Sequence, residues 1–187
     1  MTNLLPRVVE AQSKIDRSFS SGLNEPMFVA FLESIKYTGN LLPVVFLRVF
    51  LGYYYLLQAL AKYQGDFLIR PRIAEQISEF LPLSQAPQWY KFFLTTWFIP
   101  NWQTLAFIIT GLEFAIAISY LLGYVVRPIA LLAALMCLQM HYISGGGGAD
   151  QLQITFLGIH LTLAWIGAGR CVGLDYYFFK RRRGIWW

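Results

Sequence analysis

The chain has 187 residues, of which 57% are hydrophobic and only 13% are charged. Soluble domains contain about a quarter charged residues, and the apolar runs here are long enough to cross a bilayer, so a soluble domain is the poorer explanation. Four spans of about 20 residues with their connections would use nearly the whole chain, which excludes a large catalytic domain outside the membrane. The net charge of +5 is concentrated near the C-terminus, at residues 180–183. This placement is typical of a cytoplasmic membrane flank and gives no indication of nucleic-acid binding.

Residues 1–38 are polar, and we expect them to form a cytoplasmic N-terminal extension. Their second half either lies along the membrane surface as an amphipathic helix or forms a loosely ordered tail. Composition is compatible with both alternatives. No cleaved signal peptide is expected, since charged residues interrupt the place of its apolar core. These residues are Arg7, Glu10, Lys14, Asp16 and Arg17.

Four apolar runs follow, each close to the roughly 20 residues that a spanning helix needs. They cover residues 40–62, 104–124, 128–143 and 152–168. The turn between the second and third runs is short, which predicts an antiparallel hairpin. The fold class is therefore all-α: a four-helix transmembrane bundle within residues 39–175, followed by a basic cytoplasmic tail at 176–187.

The connection between the first two spans, residues 63–103, is long and contains a dense group of aromatic residues. Aromatic side chains are enriched at membrane interfaces, so we expect short interfacial helices in this first outer loop. The aromatic residues are Trp89, Tyr90, Phe92, Phe93, Trp97, Phe98 and Trp102.

The charges that flank the spans predict the topology. With four crossings both termini lie on one side, and that side collects Arg127, Arg170 and the 180–183 run. The positive-inside rule therefore places both termini in the cytoplasm, and the loops at 63–103 and 144–151 outside.

Two charged residues lie within the predicted spans, Arg48 in the first and Glu113 in the second. A charge at this depth costs about 2.5 to 3.5 kcal/mol, so such residues normally have a partner or a function. Estimated depths differ by about 7 Å at 1.5 Å per residue, which predicts an Arg48–Glu113 ion pair. His160 has a similar depth, so Arg48, Glu113 and His160 are the candidate catalytic cluster. For Arg48 and Glu113, a buried ion pair that fixes helix packing is the preferred explanation.

Other polar residues gather toward the outer ends of the spans. Gln58 and Lys62 are four residues apart on one helical face, and His141 lies near the outer end of the third span. These three are the candidate lining of a cofactor cavity that opens outward, unless they reflect ordinary interfacial polarity. Haem ligation by His141 and His160 is disfavoured by a depth difference of about 9 Å. No metal-ligand motif is present, and Cys137 and Cys171 lie at different predicted depths, which argues against a disulfide.

Four segments of the chain together resemble the DoxX/DoxD-like family of four-helix bacterial membrane proteins. The pattern covers residues 41–175, and the long 63–103 connection and the 1–38 extension depart from it. The matching segments are Arg48–Gly52 with Lys62, Gly111–Glu113, Leu121–Arg127 and Gly167–Asp175.

This resemblance implies a redox-associated subunit of the bacterial inner membrane or an equivalent energy-transducing membrane. In the best-described branch, the subunit belongs to a thiosulfate:quinone oxidoreductase. The expected cofactor is a diffusible quinone, with nothing bound covalently, and the expected partners are lipid and other membrane subunits. The sequence has no flavin motif, haem pair or reactive cysteine constellation, so the electron carrier would be this quinone or a cofactor on a partner. The alternative is a non-enzymatic accessory subunit that docks on a larger membrane complex through its aromatic surface and terminal extensions. A small-solute transporter is disfavoured because no inverted repeat is apparent.

Overall fold

The computed structural model describes residues 41–84, 86–144 and 148–182. Within these ranges the regular structure is entirely helical, with seven α-helices and no strand, which confirms the all-α class. The predictions for the 1–38 extension, for residues 145–147 of the 144–151 loop and for residues 183–187 lie outside the described residues.

The four longest helices coincide with the predicted spans to within a few residues. Short 3₁₀ turns at Asp66–Leu68 and Ala168–Arg170 and a π-helical turn at Leu94–Phe98 complete the connections. The α-helices are α1 Leu42–Gln64, α2 Arg72–Phe80, α3 Gln88–Phe93, α4 Trp102–Leu122, α5 Val126–Ser144, α6 Gly148–Ile166 and α7 Leu174–Arg182.

Proline and glycine set several helix boundaries. Pro43 lies in the first turn of α1, where its missing N–H costs no intrahelical hydrogen bond. Gly123 ends α4 with φ of 65°, and Gly167 follows α6 with φ of 69°. Both glycines adopt the left-handed conformation that commonly terminates a helix.

Three helices, α1, α4 and α5, are long and apolar enough to cross a membrane. The apolar part of α6, Gln151–Ile166, is shorter. Large apolar side chains point away from the protein, including Phe46, which is 74% exposed, and Trp165, which is 88% exposed. Lipid is the environment in which such a surface is stable.

α1 packs along α4, and α5 packs along α6. Side chains from all four helices share one core, which includes Leu51, Ile116, Ala133 and Leu163. The predicted hairpin is therefore a short α4–α5 connection whose two helices each pack most closely on a different partner.

A second core covers one end of these helices, which we call the loop end. Ile73 and Ile77 of α2 pack there with Leu94, Ala106 of α4 and Ile143 of α5. The opposite end, which holds Gly123 and the Ala168–Arg170 turn, is called the turn end. The long connection thus forms a small helical layer over the loop end.

Candidate functional site

A cavity of about 840 Å³ lies at the loop end. Most of its wall is apolar, and a few polar side chains point into it. Its lining includes the apolar residues Phe67, Ile73, Phe80, Phe98, Ile109 and Met140, and the polar residues Lys62, Arg72, Gln76, Gln139 and Gln153. Its volume and its mixture of surfaces are typical of sites for small organic ligands.

Lys62 is the cavity residue whose environment is best defined. Its ammonium group forms an ion pair with Glu113 Oε1, and the side chains of Lys62 and Glu113 are 23% and 8% exposed. Lys62 Nζ also lies 5.1 Å from the centroid of the Phe67 ring, within cation–π range. Because an ammonium has three N–H donors, Lys62 can hold Glu113 and still donate a hydrogen bond to a ligand.

Residues 65–80, in the connection between α1 and α4, form a large part of the cavity wall. Asp66 Oδ2 lies 3.5 Å from Arg72 Nη2 and 3.5 Å from Arg70 Nε. Ile73 and Ile77 anchor α2 in the second core, so that Arg72 and Gln76 of the same helix line the cavity. The short helix α2 of this loop is thus part of the cavity wall.

Arg48 does not pair with Glu113, so this prediction is wrong. Its Nη1 donates hydrogen bonds to the carbonyls of Ala168 at 2.7 Å and Cys171 at 3.2 Å, and its Nη2 donates to Val172 O at 2.9 Å. Arg48 is 1% exposed. The side chain therefore ties α1 to the chain that follows α6, at the turn end.

The depth estimate failed because it placed the loop ends of α1 and α4 at one level. Glu113 is level with Lys62, near the end of α1, although it is the twelfth residue of α4. The start of α4 therefore projects past the end of α1 by about nine residues, or ~14 Å. Ala106, in this projecting part, belongs to the second core.

Asp175 completes the turn end and was missed by sequence reasoning. Its carboxylate accepts hydrogen bonds from the backbone N–H groups of Val125 at 2.6 Å and Val126 at 3.1 Å, where α5 begins. Burial raises the pKa of Asp175, while these two bonds and the charges of Arg48 and Arg170 act in the opposite direction.

The backbone at the turn end is strained. Val125 and Val172 have φ of 54° and 50°, values that are unfavourable for β-branched residues and persist only when the surroundings enforce them. Packing there is tight as well, since a Cβ at Gly173 would lie 3.0 Å from Arg48 Nη1. The hydrogen bonds of Arg48 and Asp175 hold the backbone of Val125 and Val172 in these conformations.

His160 lies between two tyrosines in the main core. Its Nε2 is 2.8 Å from the Tyr55 hydroxyl, and its Nδ1 is 2.7 Å from the Tyr120 hydroxyl. The imidazole is fully buried. Both ring nitrogens are thus occupied, and His160 forms no hydrogen bond with Arg48 or Glu113, so the predicted catalytic cluster of these three residues is not assembled.

Of the three predicted cavity residues, Lys62 lines the cavity, whereas Gln58 and His141 do not. Gln58 is exposed and donates to the Tyr54 hydroxyl at 3.2 Å. His141 contacts the ring of Tyr142, with centroids 5.7 Å apart. Neither Cys137 nor Cys171 forms a disulfide.

A spacing of seven residues would have indicated the buried polar positions. Arg48, Tyr55 and Lys62 recur at this interval in α1, and Glu113 and Tyr120 do so in α4. Two helical turns separate residues seven apart, so each set lies on one face. Depth alone did not reveal this register.

Comparisons with protein-family models, with curated protein sequences and with solved structures give no match to this chain.

Proposed function

We propose that the chain is an integral membrane protein in which α1, α4, α5 and α6 all cross the bilayer as a four-helix bundle. The shared core of these helices and the exposed apolar side chains around it support this assignment. The helices of the first connection lie at the outer interface, and the turn end faces the cytoplasm together with both termini, as the flanking charges favour.

Cysteine labelling tests this orientation. Glu79 is exposed on α2 and Tyr124 is exposed in the α4–α5 turn, whereas the native Cys137 and Cys171 are buried. In intact cells, Glu79→Cys is expected to react with a membrane-impermeant maleimide, and Tyr124→Cys only after permeabilisation. The reverse pattern would overturn the topology.

The function proposed for the cavity is quinone binding by a redox-associated subunit, in keeping with the DoxX/DoxD-like motifs. A quinone head group needs an apolar enclosure with hydrogen-bond donors for its carbonyl oxygens. Lys62 at the cavity wall carries this proposal, because it has N–H donors beyond the one used by Glu113. Electrons would come from a reduced sulfur compound such as thiosulfate through partner subunits.

Quinone affinity in lipid nanodiscs tests the cavity. The double substitution Lys62→Met with Glu113→Leu removes the cation without leaving a buried unpaired charge. A hydrogen bond from a charged donor contributes about 1.5 to 3 kcal/mol, so decylubiquinone affinity is expected to fall by about tenfold or more.

Gln58→Leu is the matched control, because Gln58 is a polar residue of the same helix that lies outside the cavity wall. It is expected to leave the affinity unchanged. Equal losses in both variants, or no loss in the double variant, would contradict the assignment of Lys62.

The accessory-subunit alternative is favoured by one observation. Trp89, Phe92 and Trp97 are 71%, 70% and 63% exposed on the loop-end layer, and large aromatic residues of this kind are enriched in protein interfaces. Purification in mild detergent followed by mass spectrometry distinguishes the two proposals. Accessory docking would be supported by two results together. The wild-type protein would bind no quinone but carry a stoichiometric partner, and the Trp89→Ala and Trp97→Ala variants would lose that partner.

A further inference from the structure

Buried polar side chains form three levels along the interior of the four long helices. The first level, at the loop end, is the Lys62–Glu113 ion pair. Tyr55, His160 and Tyr120 occupy the second, and Arg48 and Asp175 the third. Along α1 these levels are about 10 Å apart, since seven residues separate them at 1.5 Å each. Ionisable side chains at such depths are costly and commonly mark ion or proton pathways.

The middle level is a continuous chain of hydrogen bonds. The Tyr55 hydroxyl, the imidazole of His160 and the Tyr120 hydroxyl are joined at 2.8 Å and 2.7 Å. A neutral imidazole donates through one nitrogen and accepts through the other. His160 can therefore receive a proton on one side of its ring and release another on the opposite side.

Both ends of this chain lie toward further ionisable groups. Two helical turns of α1 separate Tyr55 from Lys62, the partner of Glu113, and the second carboxylate oxygen of Glu113 has no hydrogen-bond partner among the described residues. Tyr120 lies one helical turn before Gly123, whose carbonyl accepts the backbone N–H of Asp175 at 3.0 Å. The relay thus lies between one carboxylate at the loop end and another at the turn end.

We propose that Tyr55, His160 and Tyr120 form a proton relay that connects the turn end with the Lys62–Glu113 pair. A proton arriving at the Tyr120 oxygen displaces the hydroxyl proton onto His160 Nδ1. The proton on Nε2 passes to the Tyr55 oxygen, and the Tyr55 hydroxyl proton passes to Glu113, through water where direct contact is absent. Only O–H and N–H bonds form and break, no electron moves, and hydroxyl rotation with tautomer exchange resets the chain.

This inference rests on the proposed crossing of the membrane but not on quinone. Purified full-length protein in vesicles, with a potassium gradient and valinomycin, is expected to admit protons faster than protein-free vesicles, as read by quenching of a pH-sensitive acridine dye. His160→Gln keeps a hydrogen-bonding side chain but cannot exchange protons between two nitrogens. Its proton flux is expected to fall to that of protein-free vesicles.

Tyr55→Phe is the second variant, since it removes a single hydroxyl from the relay, and it is also expected to lose the flux. Tyr53→Phe is the matched control, because Tyr53 is 55% exposed on the same helix and is expected to keep it. Melting temperature and gel-filtration profile show whether each variant is folded.

Wild-type flux equal to that of protein-free vesicles would overturn the relay, as would undiminished flux in folded His160→Gln or Tyr55→Phe protein. Quinone is absent from this assay, so such a result leaves the quinone site standing. A failure to bind quinone would likewise not count against the proton relay.

Discussion

Arg48→Met is expected to reduce the free energy of unfolding in detergent by about 3 kcal/mol or more, because a hydrogen bond from a charged donor contributes about 1.5 to 3 kcal/mol. The variant loses the hydrogen bonds that Arg48 donates to the carbonyls of Ala168, Cys171 and Val172. Asp175 would also lose a nearby cation that favours its charged form. The measurement is a thermal or denaturant melt of the purified protein.

Two comparisons separate this effect from a simple loss of positive charge. Arg48→Lys keeps the charge but lacks the planar set of donors that serves several carbonyls at once, so it is expected to recover only part of the stability. Arg70→Met removes an exposed arginine, whose side chain is 67% accessible, and should have little effect. If Arg48→Met melts like Arg70→Met, the turn-end assignment is incorrect.

Lys62→Met is expected to produce the second large loss. It leaves the buried carboxylate of Glu113 unpaired, and removal of one partner from a buried ion pair typically costs about 3 to 5 kcal/mol. Glu113→Leu should cost less, because Lys62 retains 23% exposure of its side chain and its ammonium can turn toward the cavity. Melts of the two single variants measure this asymmetry.

The double variant, Lys62→Met with Glu113→Leu, completes the cycle. It removes both charges together, so most of the lost stability is expected to return. Additive losses in the double variant would show that the two residues do not interact, and the ion pair would then have to be abandoned.

The sequence predicted the long helices well because each depends on local properties. The apolar runs fix the spans, and Pro43, Gly123 and Gly167 fix boundaries through backbone conformation. The expected contacts between helices were less successful, because they depend on axial stagger. A stagger of about nine residues between the loop ends of α1 and α4 was enough to bring Glu113 beside Lys62 and not beside Arg48.

Most of the motif segments lie away from the candidate cavity, although Lys62 and Glu113 form their ion pair at the loop end. Arg48, the Gly123–Val126 turn and the residues from Ala168 to Asp175 all meet at the turn end. The candidate cavity lies at the opposite end and takes much of its wall from α2 and its flanks. Helix α2 buries Ile73 and Ile77, four residues apart on one face. Its position over α4 depends on tertiary packing that no local pattern specifies.

Photoaffinity labelling tests whether a quinone occupies the loop-end cavity, as we propose. An azidoquinone would be cross-linked to the full-length protein in nanodiscs, with excess decylubiquinone as competitor, and the labelled peptides mapped by mass spectrometry. Competable labelling of peptides that carry Phe67, Ile73 or Met140 is the predicted result. Competable labelling confined to peptides around Arg48 or Asp175, or labelling that excess quinone does not reduce, would contradict it.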